Sequence, residues 1–149
     1  MAKFEIIVGS VLGASEYVAD ALAETLAEQG HSSNIHLSPE LSQIDTDAIW
    51  LVCSSTHGAG DLPDNIQPFA QQISKQNLSH IQFLIVGLGD SSYDTFCFAA
   101  VKLQQILTDC HATLLAPAQH IDVLTHPFPE EVAVEWLKQT LPHLTLSAS

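Results

Sequence analysis

Gly9-Ser10-Val11-Leu12-Gly13-Ala14-Ser15-Glu16 is the stretch whose reading decides the fold. It follows a short apolar run, residues 4–8, and opens a long helical pattern near Ser15. A strand that turns through a Gly/Ser loop into a helix gathers several backbone N–H groups at one point. The helix adds its positive end, equivalent to roughly half an elementary charge. Such a turn holds a phosphate without any cationic side chain, and this loop contains no Lys or Arg. Ser10 and Ser15 add hydroxyl donors, and Gly13 lets the backbone bend toward an anion. The competing reading is an ordinary strand-to-helix turn, with Ser15 as N-cap and Glu16 in the first helical turn. The loop fits neither G-x-G-x-x-G nor G-x-x-x-x-G-K-[ST], so the surrounding chain decides.

Before the loop, Phe4, Ile6, Ile7 and Val8 are nearly continuous and predict a strand buried on both faces. After it, Val18, Leu22 and Leu26 recur at helical spacing, with Ala19 and Ala23 alongside and Asp20, Glu24 and Glu28 on the wet face. Gly30 is the expected C-cap. Residues 34–37 predict a short strand, and residues 48–53 a central parallel one. The latter ends in the small-residue loop Ser54-Ser55-Thr56-His57-Gly58-Ala59-Gly60-Asp61. Ile66, Phe69, Ala70 and Ile73 predict a second helix, with Pro68 in its first turn. Residues 81–88 form a fourth strand, followed by Gly89-Asp90-Ser91-Ser92-Tyr93-Asp94. A third helix carries Phe96, Ala99, Ala100, Leu103, Ile106 and Leu107. A fifth strand over residues 112–121 is interrupted by Pro117, which suits an edge. Val132, Val134, Trp136, Leu137 and Leu141 fit a closing helix.

Strands alternating with helices predict an α/β doubly wound fold, a five-stranded parallel sheet of order 2-1-3-4-5 with helices on both faces. Ligands of such sheets bind at the carboxyl ends of the strands, at the topological switch point. In this order strands one, three and four are neighbours, and they carry the three Gly/Ser-rich loops. Those loops offer phosphate donors, the imidazole of His57, the peptides of Gly58 and Gly60, and the ring of Tyr93. Asp90 has a simpler reading as a cap for the next helix. Taken together, the loops suit a flat heterocycle bearing one phosphate.

The composition bounds the partners. The chain has 149 residues, 46% of them hydrophobic, enough for one domain with a real core. No run approaches the ~20 apolar residues of a membrane span, and no signal-peptide pattern opens the chain. Cys53, Cys97 and Cys110 are odd in number and unclustered, as expected of a cytoplasmic protein without structural zinc. Seventeen acidic side chains against four basic ones give a net charge of −13. That disfavours nucleic acid and anionic membranes, which need basic patches, and favours solubility or a basic protein partner.

These motifs resemble the flavodoxin family over essentially the whole chain. Residues 9–16 look like its FMN-phosphate loop. Ser55-Thr56-His57-Gly58-Ala59-Gly60-Asp61-Leu62-Pro63-Asp64-Asn65 is similar to the second loop in the FMN domains of cytochrome P450 reductase and sulfite reductase. Gly87-Leu88-Gly89-Asp90-Ser91-Ser92-Tyr93-Asp94-Thr95-Phe96-Cys97 resembles their third. His57 in a short chain most resembles the MioC group of small flavodoxins.

The resemblance implies noncovalent FMN, one-electron transfer and no substrate chemistry. It places Ser10, Val11, Leu12, Gly13, Ala14 and Ser15 around the phosphate. It makes Ser55, Thr56, His57, Gly58, Ala59 and Gly60 of the second loop and Leu88, Gly89, Asp90, Tyr93, Phe96 and Cys97 of the third cofactor-binding, with His57 where relatives place a second aromatic residue. Tyr93 would stack on the outer ring face, and the Gly58 peptide would meet the N5 edge. Leu12 and Ala14 stand where relatives often carry Thr, which predicts weaker FMN binding. The implied partners are a basic flavin reductase and an electron-acceptor enzyme, met by a monomer. The MioC likeness adds a link to biotin synthesis. Two other classes share the architecture. A free-standing FMN-dependent NAD(P)H or quinone reductase needs a nicotinamide route, and no second nucleotide motif is visible. A phosphoacceptor signalling domain needs an acidic pocket and a Lys at strand ends, where this chain has Gly/Ser loops.

Overall fold

The computed structural model describes residues 2–10, 13–56, 60–92 and 96–144. Val11, Leu12, His57, Gly58, Ala59, Tyr93, Asp94 and Thr95, all named above, lie outside the described residues.

Strand β1 (Lys3–Gly9) leads into helix α1 (Ala14–Glu28), and β2 (Ser32–His36) follows. Strand β3 (Ile49–Ser55) precedes α2 (Gln67–Ile73), and β4 (Gln82–Gly89) precedes α3 (Phe98–Asp109). Two short strands, β5 (Thr113–Leu114) and β6 (Gln119–Asp122), come before α4 (Pro129–Thr140). All pairings are parallel, in the order β2-β1-β3-β4-β5, with β6 also on β4. The fifth strand is thus in two pieces on one neighbour. Between Phe83↔Leu114 and Val86↔Gln119 the edge chain has two more residues than β4. Pro117 lies in that excursion and has no N–H to give a ladder.

Side chains alternate across the sheet. Phe4, Ile6 and Val8 of β1 bury against Val18, Leu22 and Leu26 of α1 and Ala133 and Leu137 of α4. Ile7, Trp50, Val52, Phe83 and Ile85 face Phe69 and Ile73 of α2 and Leu103 and Leu107 of α3. Helices therefore cover both faces, which is why the inner strands read as continuous apolar runs. At the end of α1, Gly30 N donates to Ala27 O and His31 N to Leu26 O, the paired closure expected for a glycine just past a helix.

Three local expectations change. The N-cap of α1 is Gly13, at φ +87, and Ser15 turns its hydroxyl to Ser55 instead of capping the helix. Helix α3 starts at Phe98, because Cys97 in the left-handed region (φ +54) ends the turn that holds Phe96. Among the described residues Asp90 bonds within its own loop and not to the start of α3. Its Oδ1 accepts from Ser92 N at 2.8 Å and Ser92 Oγ at 2.6 Å, closing a turn within its own loop.

Candidate functional site

The register brings the loops side by side. Gly9 pairs with Ser54, Ser55 with Leu88, and Gly89 with Asp122, so β1, β3, β4 and β6 all stop at one level. At that level a cavity of about 200 Å³ is lined by Ala14, Ser55, Thr56, Leu88, Gly89, Asp90 and Val123. Six of these seven were expected from the sequence, and they come from all three loops. Val123 was not, since it belongs to the segment after β6.

Ser10, Gly13 and Ser15 lie at the start of α1. Gly13 N donates to Ser10 Oγ at 3.1 Å, and the Ser10 hydroxyl in turn donates to Glu16 Oε2 at 3.2 Å. The buried Ser15 hydroxyl meets Ser55 Oγ at 2.5 Å, joining helix α1 to the end of β3. Thr56 reaches the other way, with Oγ1 accepting from Ala99 N in the first turn of α3. Gly60 is buried at φ +96 beyond the second loop.

Gly89 touches its neighbours through bare backbone. A Cβ there would stand 2.6 Å from Cys97 N and 3.0 Å from Cys97 Sγ, so only glycine fits between β4 and the approach to α3. Cys97 is fully buried, and burial pushes its thiol up to about 12. It is a packing residue in its neutral form. Phe96 is half-buried and presents its ring edge-on to His120, with centroids 6.4 Å apart. Burial holds the His120 imidazole below its ordinary range, which favours the neutral ring.

Two organising residues escaped the sequence reading. Asn65 ties three segments: Oδ1 accepts from Ser10 N at 2.9 Å, and Nδ2 donates to Val8 O at 2.7 Å and Leu37 O at 2.9 Å. It stood inside the second-loop motif, but its partners are 28 to 57 residues away. Asp122 does the same on the far side. Its Oδ1 accepts from Ser91 N at 3.2 Å and Leu124 N at 3.0 Å, and the bonding from Ser91 holds its carboxyl below the usual range. Val123 N completes the join by donating to Gly89 O at 2.8 Å. No local pattern marks Asp122, and the second-loop motif that contains Asn65 does not reveal its partners.

The surroundings of the cavity are acidic and apolar. Asp61 and Asp64 are exposed on the second loop, and Asp90 on the third is half-buried. Phe98, Val123, Leu124 and Phe128 are exposed apolar side chains on the segments that leave the third loop and β6. Lys102 is drawn to Asp61, at 3.9 Å. No helix among the described residues is long and apolar enough to cross a membrane.

Comparison with known proteins agrees with this geometry. The Flavodoxin family model matches residues 6–136. The MioC homolog of Haemophilus influenzae is 46% identical over 134 residues, spanning 89% of this chain and 92% of that protein. Protein MioC of Escherichia coli K12 is 45% identical over 139 residues, 92% of this chain and 95% of its own length. Among solved structures, a cysteine-to-alanine mutant of flavodoxin from Pseudomonas aeruginosa superposes with a TM-score of 0.88 at 29% identity, covering 97% of this chain and 99% of that one. With a parallel 2-1-3-4-5 sheet and three strand-end loops meeting at one cavity, the chain belongs to the flavodoxin family, whose cofactor is FMN.

Proposed function

We propose that the chain is a one-electron carrier that holds FMN between its three loops and passes electrons from a reductase to an acceptor enzyme. The observation that carries this reading is the cavity of about 200 Å³ at the level where β1, β3, β4 and β6 end, with Ser55 and Thr56 in its lining and Ala14, at the start of α1, beside them. Ser10 and Ser15 bring neutral hydroxyls to the positive end of α1, and Ser15 ties that end to Ser55 at the end of β3. Ala14, Leu88 and Val123 give the cavity apolar walls. Donors at one end and an apolar slot at the other fit a molecule with a phosphate and a flat ring. Residues 10–15 would hold the phosphate. Residues 55–60 and Leu88, Gly89, Asp90, Tyr93 and Phe96 would flank the flavin, with the buried Cys97 packed behind Gly89. FMN supplies the redox chemistry when bound. The chain positions it, keeps water from its buried side and offers an acidic face for docking.

That face selects the donor. A net charge of −13 and the carboxylates of Asp61, Asp64 and Asp90 favour a basic flavin reductase. The exposed Phe98, Val123 and Leu124 supply apolar contact once the partner has arrived. The MioC likeness extends the proposal to an acceptor in biotin synthesis, which depletion and add-back in a biotin-forming extract would test.

Heat release of the cofactor tests the core of the reading. FMN at one per chain is expected, and stoichiometric FAD overturns it. Reduction by a basic flavin reductase should slow as salt rises, because the screening length falls from ~30 Å at 0.01 M to ~8 Å at 0.15 M. Rates indifferent to salt remove the acidic face from the account. NAD(P)H oxidation by the purified protein alone would make it a reductase instead of a carrier.

A further inference from the structure

We infer that Glu16 is a built-in rival of the cofactor phosphate, and that it sets how tightly this chain holds FMN. The inference rests on the placing of the phosphate at residues 10–15. Ser10 has a single hydroxyl proton, and it is given to Glu16 Oε2 at 3.2 Å. The Gly13 amide, at the first turn of α1, is given to Ser10 Oγ at 3.1 Å. The amide of Ser10 is spent on Asn65 Oδ1 at 2.9 Å. Three donors of the loop thus have protein partners, and two of them form one chain that ends on the Glu16 carboxylate.

A phosphate ester at neutral pH accepts hydrogen bonds and donates essentially none. To receive the Ser10 hydroxyl it must take that proton from Glu16, and to receive the Gly13 amide it must displace Ser10 Oγ. The carboxylate also carries the same sign as the incoming ligand and sits at the helix end that attracts anions. Its Oε2 lies 3.6 Å from the point where a Gly13 Cβ would stand, so it borders the space against the turn. Among the described residues no Lys or His lies within ion-pair distance of Glu16 to offset that charge. Glu16 therefore stabilises the start of α1 and opposes phosphate binding at the same place.

These two effects separate in a mutant. Glu16→Gln keeps the side chain's size and an oxygen for Ser10 but removes the charge, and Glu16→Ala removes both. FMN should bind roughly 5- to 10-fold tighter to each variant, the order expected when one screened like charge is removed. The melting temperature of the flavin-free protein should fall in both, since an acidic residue is lost from a helix N-terminus. Riboflavin, which lacks the phosphate, should bind all three proteins alike. The gain for FMN should shrink as salt is raised.

Flavin fluorescence quenching with FMN and with riboflavin, on wild type and both variants, reads all of this. FMN affinity unchanged or weaker in Glu16→Gln overturns the inference. Near-normal affinity in Gln with weak affinity in Ala assigns Glu16 to holding Ser10 in position, which also overturns it. If wild type binds riboflavin as tightly as FMN, the phosphate placement itself fails, and that outcome is visible before any mutant is made.

Discussion

Glu5 Oε2 lies 2.6 Å from His36 Nε2, a carboxylate–imidazole contact between neighbouring strands β1 and β2. Glu5 is 1% exposed, and its other contacts complete a small polar centre under the sheet. Oε1 accepts from Asn34 Nδ2 at 3.0 Å, and Oε2 also accepts from Asp45 N at 3.3 Å. Removing Glu5 strands those donors. Glu5→Ala should therefore cost about 2–3 kcal/mol, toward the lower end for breaking a buried pair because His36 retains some solvent. The double replacement Glu5→Leu with His36→Leu should recover part of that loss. Urea unfolding of the set checks it, and strict additivity of the two single changes would deny the coupling.

Acid should weaken the fold before its carboxylates titrate. Ala2 N donates to His31 Nδ1 at 2.9 Å, so that nitrogen must be unprotonated in the native state. Burial lowers the pKa of His31, and burial lowers that of His120 as well. A histidine depressed by folding contributes stability above its unfolded value, about 6.5, and loses it as pH falls from there through the folded value. The urea midpoint should decline from pH 7 toward 5.5, and His31→Gln with His120→Gln should flatten that decline. An equal decline in the double variant would assign the effect elsewhere.

Asn65→Ala should damage the cofactor site without touching the cavity wall. It leaves Ser10 N, Val8 O and Leu37 O without their partner, a loss of about 1–3 kcal/mol. The first loop should lose its anchor to the second, and FMN affinity should fall more than riboflavin affinity. Parallel losses for both flavins would show that Asn65 organises the cavity and not the phosphate end.

Gly89→Ala is a test of backbone contact. Its methyl would stand 2.6 Å from Cys97 N, and a backbone atom cannot yield as a side-chain tip can. A cost of about 1–3 kcal/mol is expected, with weaker flavin binding because the cavity edge moves. Wild-type stability and affinity in this variant would mean that the approach to α3 shifts freely.

The three cysteines should be silent. Cys53, Cys97 and Cys110 are buried and free, and burial pushes Cys53 and Cys97 up to about 12. Cys53 and Cys97 therefore carry almost no thiolate at pH 8, the thiolate being the reactive form, and Cys110 is shielded by its burial. Aromatic disulfide reagents should label none of the three in the native protein and all three in denaturant. Rapid native labelling of Cys97 would show that the third loop opens.

The sequence by itself determined the order of elements, the parallel sheet and which strand ends carry the loops. Burial on both faces leaves continuous apolar runs such as residues 48–53, and amphipathic helices leave a 3.6-residue period, so both are readable locally. The Gly/Ser character of the loops was legible for the same reason, as small residues stand wherever backbone must serve as a donor or approach closely.

Only the tertiary structure decided how those loops are held. Ser15 reads as a helix cap, yet its hydroxyl goes to Ser55, 40 residues on. Glu5 reads as a polar lapse in an apolar strand, yet it is the acceptor for Asn34, His36 and Asp45. Asn65 closes the second-loop motif and Asp122 stands just past the expected fifth strand, yet neither position discloses that they bind the loops together. In each case the partner is distant in sequence, and hydrogen bonds between distant residues leave no periodicity. The same limit applies to Glu16, whose place beside the Ser10 hydroxyl follows from the turn at Gly13 and not from its position in the helix.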